Sequence, residues 1–194
     1  MTDYVFAYGS LLSPGSLALT LPTTRLTDIV GARLTGFVRT FDVAFPNDGS
    51  QGDKAYFSPS GGRPSHVLFA NVVAISAGEA VNGVLVPMEP GDLALLVNRE
   101  RRYELLEVTD SVRLMGVPEG PAGTVCAFVG RAEFTRPADV ARGVLSREYV
   151  NAVADGVRFW SGRYPGFDQE YYASTRLPTG VPMLDLTRVE GLRG

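Results

Sequence analysis

The sequence predicts an α+β domain in which a curved mixed β-sheet, or a small barrel, is flanked by helices. Three observations predict it. Short aromatic and β-branched runs recur through the first two-thirds of the chain. A segment with helical spacing of apolar residues begins at Pro137. The strand-like runs precede this main helix rather than alternating with helices of similar length. With 194 residues and 45% hydrophobic content the chain can build one sizeable core, so residues 1–194 read as a single domain.

The first run, Tyr4-Val5-Phe6-Ala7-Tyr8, reads as a buried strand that stops at Gly-Ser-Leu-Leu-Ser-Pro-Gly, which is turn chemistry. Residues 33–45 are strand-like again, and Gly36 marks a bend or bulge within them. Residues 46–66 collect Pro, Asn, Gly, Ser and Asp around a brief Ala55-Tyr56-Phe57 and read as a long loop. Residues 67–75 and 81–88 are strand candidates separated by a short turn, and are expected to pair as a hairpin. Asp92 is a candidate N-cap for a helix running to Arg102. Residues 103–114 and 124–129 return to a β pattern. Residues 137 to about 160 form the clearest helix, with Val140, Val144, Leu145, Tyr149, Val153 and Val157 near helical spacing. The remainder, residues 161–194, is rich in Gly, Pro and Tyr and reads as a mostly irregular C-terminal extension.

Composition removes several function classes. A net charge of −3 gives no pull toward a phosphate backbone or an anionic bilayer, so neither nucleic acid nor membrane is an expected partner. The longest apolar stretch, residues 67–75, is interrupted by Asn71 and is far shorter than a bilayer span; a cytoplasmic location is expected. Cys126 and His66 are the sole residues of their types, which excludes a disulfide framework and a Cys/His zinc site within one chain. A Ser-His-acid triad would have to use His66, and the chain has no G-x-S-x-G, P-loop or G-x-G-x-x-G. Lys54 is the sole lysine, and the sequence attaches no function to it.

Two segments have chemical potential. The glycine turn after the first strand exposes successive backbone N–H groups, a nest able to hold a carboxylate, and Ser10 adds a hydroxyl donor. Asn98-Arg99-Glu100-Arg101-Arg102-Tyr103 sets a carboxylate among arginines at a helix end; read alone, it is a solvated, charged terminus. Glu104 and Glu107 follow, and Glu104 is the nearest substitute for Glu100.

Taken together, the two segments resemble the gamma-glutamylcyclotransferase superfamily, including its ChaC-like and gamma-glutamylamine cyclotransferase branches. Tyr8-Gly9-Ser10-Leu11 matches the Tyr-Gly-Ser-Leu motif that follows the family's first strand. Glu100 followed by Tyr103 looks like its catalytic glutamate ahead of a strand-initiating tyrosine. Softer matches occur in the same order at Gly36-Phe37-Val38-Arg39-Thr40-Phe41, Val81-Asn82-Gly83-Val84-Leu85-Val86 and Arg147-Glu148-Tyr149-Val150.

The resemblance implies a cyclotransferase that converts a small-molecule gamma-glutamyl substrate to 5-oxoproline and a released amine, without metal or organic cofactor. It also implies that Tyr8, Gly9, Ser10, Leu11 and Tyr103 bind substrate while Glu100 is the general acid/base. An α-amine with a pKa of about 7.7 to 8.0 is largely protonated near neutral pH, so the attacking nitrogen needs a base. Arg99, Arg101 and Arg102 would weaken Glu100 in that role by lowering its pKa. They are therefore expected to point away from the pocket, and an ion pair to Glu100 would count heavily against the assignment. The loop at 46–66 and the aromatic segment 167–172 are candidate pocket walls. The leaving group and the oligomeric state stay open. Two other readings also stay open: a non-catalytic protein of the same fold that binds a small carboxylate-bearing ligand, and an interaction module using the tail.

Overall fold

The computed structural model describes residues 3–75 and 78–191. β1 (Tyr4–Ala7) leads through a 3-10 turn (Ser10–Leu12) into α1 (Pro14–Ala18). Next come β2 (Val30–Thr35), β3 (Phe37–Pro46), β4 (Lys54–Phe57), β5 (His66–Ala74) and β6 (Ala80–Pro87). α2 (Asp92–Arg99) is followed by β7 (Tyr103–Glu107), β8 (Val112–Leu114) and β9 (Val125–Gly130). α3 (Pro137–Val140), β10 (Gly143–Ser146), α4 (Arg147–Ser161) and α5 (Phe167–Ala173) precede the short strands β11 (Thr175–Arg176), β12 (Met183–Leu184) and β13 (Thr187–Glu190).

The strands form sheets in the orders β7-β9-β1-β6-β2-β8 and β11-β3-β5-β10-β12, with β13-β4 as a separate ribbon. β1 is parallel to β9 and antiparallel to β6, so the first sheet is mixed. The two larger sheets are joined at a corner. Residues 30–46 run antiparallel to residues 66–85, first as β2 on β6 and then as β3 on β5. At the corner Gly36 adopts φ +81°. Its N–H donates to the Glu79 carbonyl and its carbonyl accepts from the Ile75 N–H, both at 2.8 Å. A side chain is disfavoured at that φ, and glycine lets the strand turn from one sheet into the other. The outcome is the α+β curled half-barrel that the sequence predicts, with the bend at the predicted glycine.

The predicted hairpin between residues 67–75 and 81–88 does not form. β5 and β6 lie end to end along the bent β2–β3 line, in different sheets, and each needs partners on both edges because both are largely buried. Ser76 and Ala77, where the turn is expected, lie outside the described residues. The predicted helix from 137 also resolves differently, into α3, β10 and α4. Val144 and Leu145 are buried on β10, which runs parallel to both β5 and β12. A two-residue apolar step fits either period, so spacing alone does not separate strand from helix here. Gly143 is required by crowding, since a Cβ there would collide with Leu68.

Two further corrections concern the loop and the tail. The 46–66 loop contains β4, which pairs antiparallel with β13. The tail, expected to be a mostly irregular extension, is built into the domain: β11 pairs with β3 and β12 with β10, while α5 buries Phe167 and Tyr171 against α4 and the sheet. Strands of two to four residues are too short to show alternation, which hides them in the sequence. At α2, Gly91 rather than Asp92 is the cap; the Asp92 carboxylate accepts from the Glu89 N–H at 3.0 Å, and the helix ends at Arg99.

One apolar cluster fills the inside of the curl, around Phe6, Phe41, Leu68 and Leu85. A second lies between the first sheet and α4 and α5, around Leu12, Trp160 and Phe167. Trp160 Nε1 donates to the Leu12 carbonyl at 2.9 Å, which seats the 3-10 turn on α4. Among the described residues no helix is long and apolar enough to cross a membrane.

Candidate active site

β1 delivers Tyr8 and Gly9 to the end of the first sheet, and the 3-10 turn begins at once. The opening N–H groups of such a turn have no acceptor within it. From the other side α2 ends, and Glu100 leaves the helix at φ −94°, ψ 45° with its N–H bonded to the Leu96 carbonyl at 2.8 Å. Tyr103 opens β7 immediately afterwards. All six residues singled out from the sequence line one recess of about 40 Å³: Tyr8, Gly9, Ser10 and Leu11 from the turn, and Glu100 and Tyr103 opposite. A cleft of about 980 Å³ adjoins it, sharing Ser10, Glu100, Tyr103 and Tyr149.

Tyrosines frame the recess. Tyr8 Oη donates to the Phe128 carbonyl at 2.5 Å and Tyr103 Oη to the Ala70 carbonyl at 2.7 Å, while the Ala70 N–H donates to Tyr149 Oη at 3.1 Å. Burial pushes all three phenols well above their ordinary range, with Glu100 adding to the effect, so they act as neutral hydroxyls. Arg39 fixes the turn from behind: its Nε donates to the Tyr8 carbonyl at 3.1 Å, its Nη1 to the Tyr171 carbonyl at 3.2 Å, and its guanidinium lies 3.7 Å from the Tyr171 ring centre. This arginine is fully buried, and desolvation lowers its pKa to about 10.

Glu100 exposes 19% of its side chain. Burial raises its pKa above the ordinary glutamate value against the opposing pull of Arg99, Lys54 and Arg102. Contrary to the expectation that the three neighbouring arginines point away from the pocket, all of them line the adjoining cleft, and they differ in what they hold. Arg101 bonds Asn98, and Arg102 makes a two-pronged contact with Asp53 at 2.6 and 2.7 Å. Arg99 pairs with Glu100, its Nε lying 3.0 Å from Oε1. The cause is local: the terminal nitrogens of Arg99 reach Ser10 Oγ, Ser16 Oγ and Thr20 Oγ1 at 3.0, 3.0 and 2.5 Å, which swings Nε beside the adjacent carboxylate. That contact counts against Glu100 as an unpartnered base, although burial outweighs it in setting the direction of the pKa.

Glu104 and Glu107 are exposed on β7 and line neither cavity, so the nearest substitute for Glu100 is out of place. His66 lies between Ser65 Oγ at 3.2 Å and Asp139 at 3.7 Å, and none of these three lines either cavity. Of the candidate walls, the 46–66 loop contributes Gly52, Asp53, Lys54 and Tyr56 to the cleft, whereas residues 167–172 contribute to neither cavity. Sequence reasoning missed Lys54, Ala70 and the role of Arg99. Tyr149 was carried only inside the Arg-Glu-Tyr-Val match. Among the described residues no group of three His, Cys, Asp or Glu side chains gathers that could hold a metal ion.

The chain superposes on a solved structure described as a gamma-glutamyl cyclotransferase over 93% of its own length and 92% of that chain, with a TM-score of 0.59 and 22% identity. The fold is that of the gamma-glutamyl cyclotransferases. The same cyclotransferase fold appears in an uncharacterized human protein, at TM-score 0.58 and 22% identity over 91% of this chain and 89% of that one. It appears again in a yeast gamma-glutamyl cyclotransferase specific to glutathione, at TM-score 0.54 and 14% identity over 90% and 97%. No protein-family model matches the sequence, and no curated protein matches it. Within this cyclotransferase fold, the recess sits where β1 runs out and α2 returns.

Proposed function

We propose that the protein is a cyclotransferase that closes a gamma-glutamyl group to 5-oxoproline and releases an amine, with Glu100 as general acid/base. One observation carries the reading: Glu100 and the Tyr8-Gly9-Ser10-Leu11 turn, distant in sequence, line the same recess. The fold shared with gamma-glutamyl cyclotransferases supports it.

In this reading the turn amides and Ser10 receive the substrate's α-carboxylate, which is of a size that the 40 Å³ recess admits, and the rest of the molecule lies in the adjoining cleft. The α-nitrogen attacks the γ-carbonyl carbon, forming the ring C–N bond. Glu100 accepts the proton from that nitrogen and returns it to the departing nitrogen as the original amide C–N bond breaks. Nucleophile and electrophile belong to one molecule, so the site's first task is to hold the folded conformer. Arg99 engages Oε1, and in this reading the substrate amine takes the second carboxylate oxygen.

The test is incubation with glutathione, gamma-glutamyl amino acids and gamma-glutamyl amines while 5-oxoproline is measured. Turnover that is lost in Glu100→Gln supports the reading, and equal turnover in the variant overturns it. The Arg99–Glu100 contact favours a second reading, a binding protein of the same fold, because a paired carboxylate is a weaker base. Carboxylate binding without any turnover would select it.

A further inference from the structure

Lys54 is the sole lysine of the chain, on a ribbon strand that faces the large cleft. Its Nζ lies 4.8 Å from the Phe69 ring centre, 5.2 Å from Phe45 and 5.9 Å from Tyr56, all within cation–π reach. Ring faces stabilise the charge but leave the three N–H donors of an ammonium without lone-pair acceptors. Among the described residues no hydrogen bond or ion pair reaches this Nζ.

The nearby carboxylates are engaged elsewhere. Asp53 is held by Arg102, Glu100 by Arg99, and Glu190, opposite Lys54 in the ribbon, by Arg188. Cationic side chains outnumber carboxylates in the cleft lining, although the whole chain carries a net charge of −3. Desolvation, helped by Arg188 and Arg102 and opposed by Asp53 and Glu100, lowers the Lys54 pKa to about 8. Lys54 and Glu100 line the same cleft, and each influences the other's protonation. A partly dehydrated cation without a counter-ion is unfavourable alone, and an anionic ligand supplies what is missing.

We propose that Lys54 is a specificity-determining residue that binds a carboxylate on the leaving side of the substrate, so that the cleft selects gamma-glutamyl amino acids and peptides over gamma-glutamyl amines. This rests on the recess being the gamma-glutamyl site. A leaving group that is a neutral alkylamine leaves the ammonium unpaired, and a cationic one is repelled.

Two measurements on the full chain test it, using gamma-glutamylalanine and gamma-glutamylethylamine, which differ by one carboxylate. In the first, an amine-acylating reagent modifies Lys54, the single ε-amine, and peptide mass analysis follows the rate. Gamma-glutamylalanine is expected to protect Lys54 at concentrations at least about tenfold lower than gamma-glutamylethylamine. Equal protection, or none, overturns the proposal. In the second, 5-oxoproline formation is compared in wild type, Lys54→Met and Lys54→Arg. Lys54→Met is expected to raise KM for gamma-glutamylalanine about tenfold or more relative to that for gamma-glutamylethylamine, any shift in Glu100 protonation acting on both substrates alike, with Lys54→Arg partly restoring the difference. Parallel loss with both substrates, or no change with either, identifies Lys54 as a support for the aromatic cluster and overturns the proposal. If wild type forms no 5-oxoproline from either compound or from glutathione, the cyclotransferase reading fails, and the protection experiment still decides the carboxylate site.

Discussion

Arg99 Nε stands 3.0 Å from Glu100 Oε1 while the other end of the same guanidinium is held by the hydroxyls of Ser10, Ser16 and Thr20. The carboxylate assigned to proton transfer is thereby wired to the turn assigned to substrate binding. Arg99 pulls the Glu100 pKa down, and burial pushes it up more strongly. Removing the cation in Arg99→Met is expected to raise that pKa further. The acidic limb of the kcat/KM profile, where the base becomes protonated, should then move to higher pH. A limb that stays in place or moves down would show that Arg99 does not act on Glu100 in solution.

Glu100→Gln is expected to reduce 5-oxoproline formation by roughly 10² to 10⁴. Its effect on stability has a definite sign. The folded-state pKa of Glu100 is raised, so its contribution to stability is fully present below the unfolded value of about 4.3 and is lost as pH rises through the folded value. The amide does not ionise and escapes that loss. Thermal melts should therefore show the variant gaining on wild type as pH rises above about 4.3 and through the raised folded value; no gain above the unfolded value would contradict this.

Gly9→Ala places a Cβ 3.2 Å from both Ala70 Cβ and Tyr149 Oη, inside the recess. The neighbours must give by only a few tenths of an ångström, so folding should survive. Substrate positioning should not, and KM is expected to rise on the order of tenfold. Parallel urea unfolding and kinetics separate the two effects.

Arg39→Met removes a fully buried guanidinium that serves the carbonyls of Tyr8, Asn82 and Tyr171 together with Ser174 and Thr175. Several buried acceptors are left unpaired, each costing about 1 to 3 kcal/mol. A loss of about 3 kcal/mol or more in chemical denaturation is expected. A loss below about 1 kcal/mol would mean that the network is not structural.

The half-barrel was readable in outline because Gly36 interrupts an apolar run at the point where the strand changes sheets, and β1 is short, apolar and followed by an unmistakable turn. Partnerships were not readable. Apolar spacing gives the elements 66–74 and 80–87 but says nothing about which neighbour each takes, and here the neighbour of both is the bent line of β2 and β3. β10 hid inside a helical pattern because Val144 and Leu145 suit both periods. For the site, a contiguous motif and a glutamate beside a helix end could be found in sequence. Ala70 and Lys54 enter from β5 and β4 through long-range packing, and nothing local marks them.

The recess is built largely from the first sheet, the 3-10 turn and the end of α2. Lys54, by contrast, sits on the β4–β13 ribbon, which pairs with neither sheet. If this lysine reads the leaving group, preference and chemistry are inherited on separate pieces of the chain. Descendants of such a protein could then exchange one class of amine for another by drift in a single two-stranded ribbon, while the machinery that closes the ring passes on unaltered.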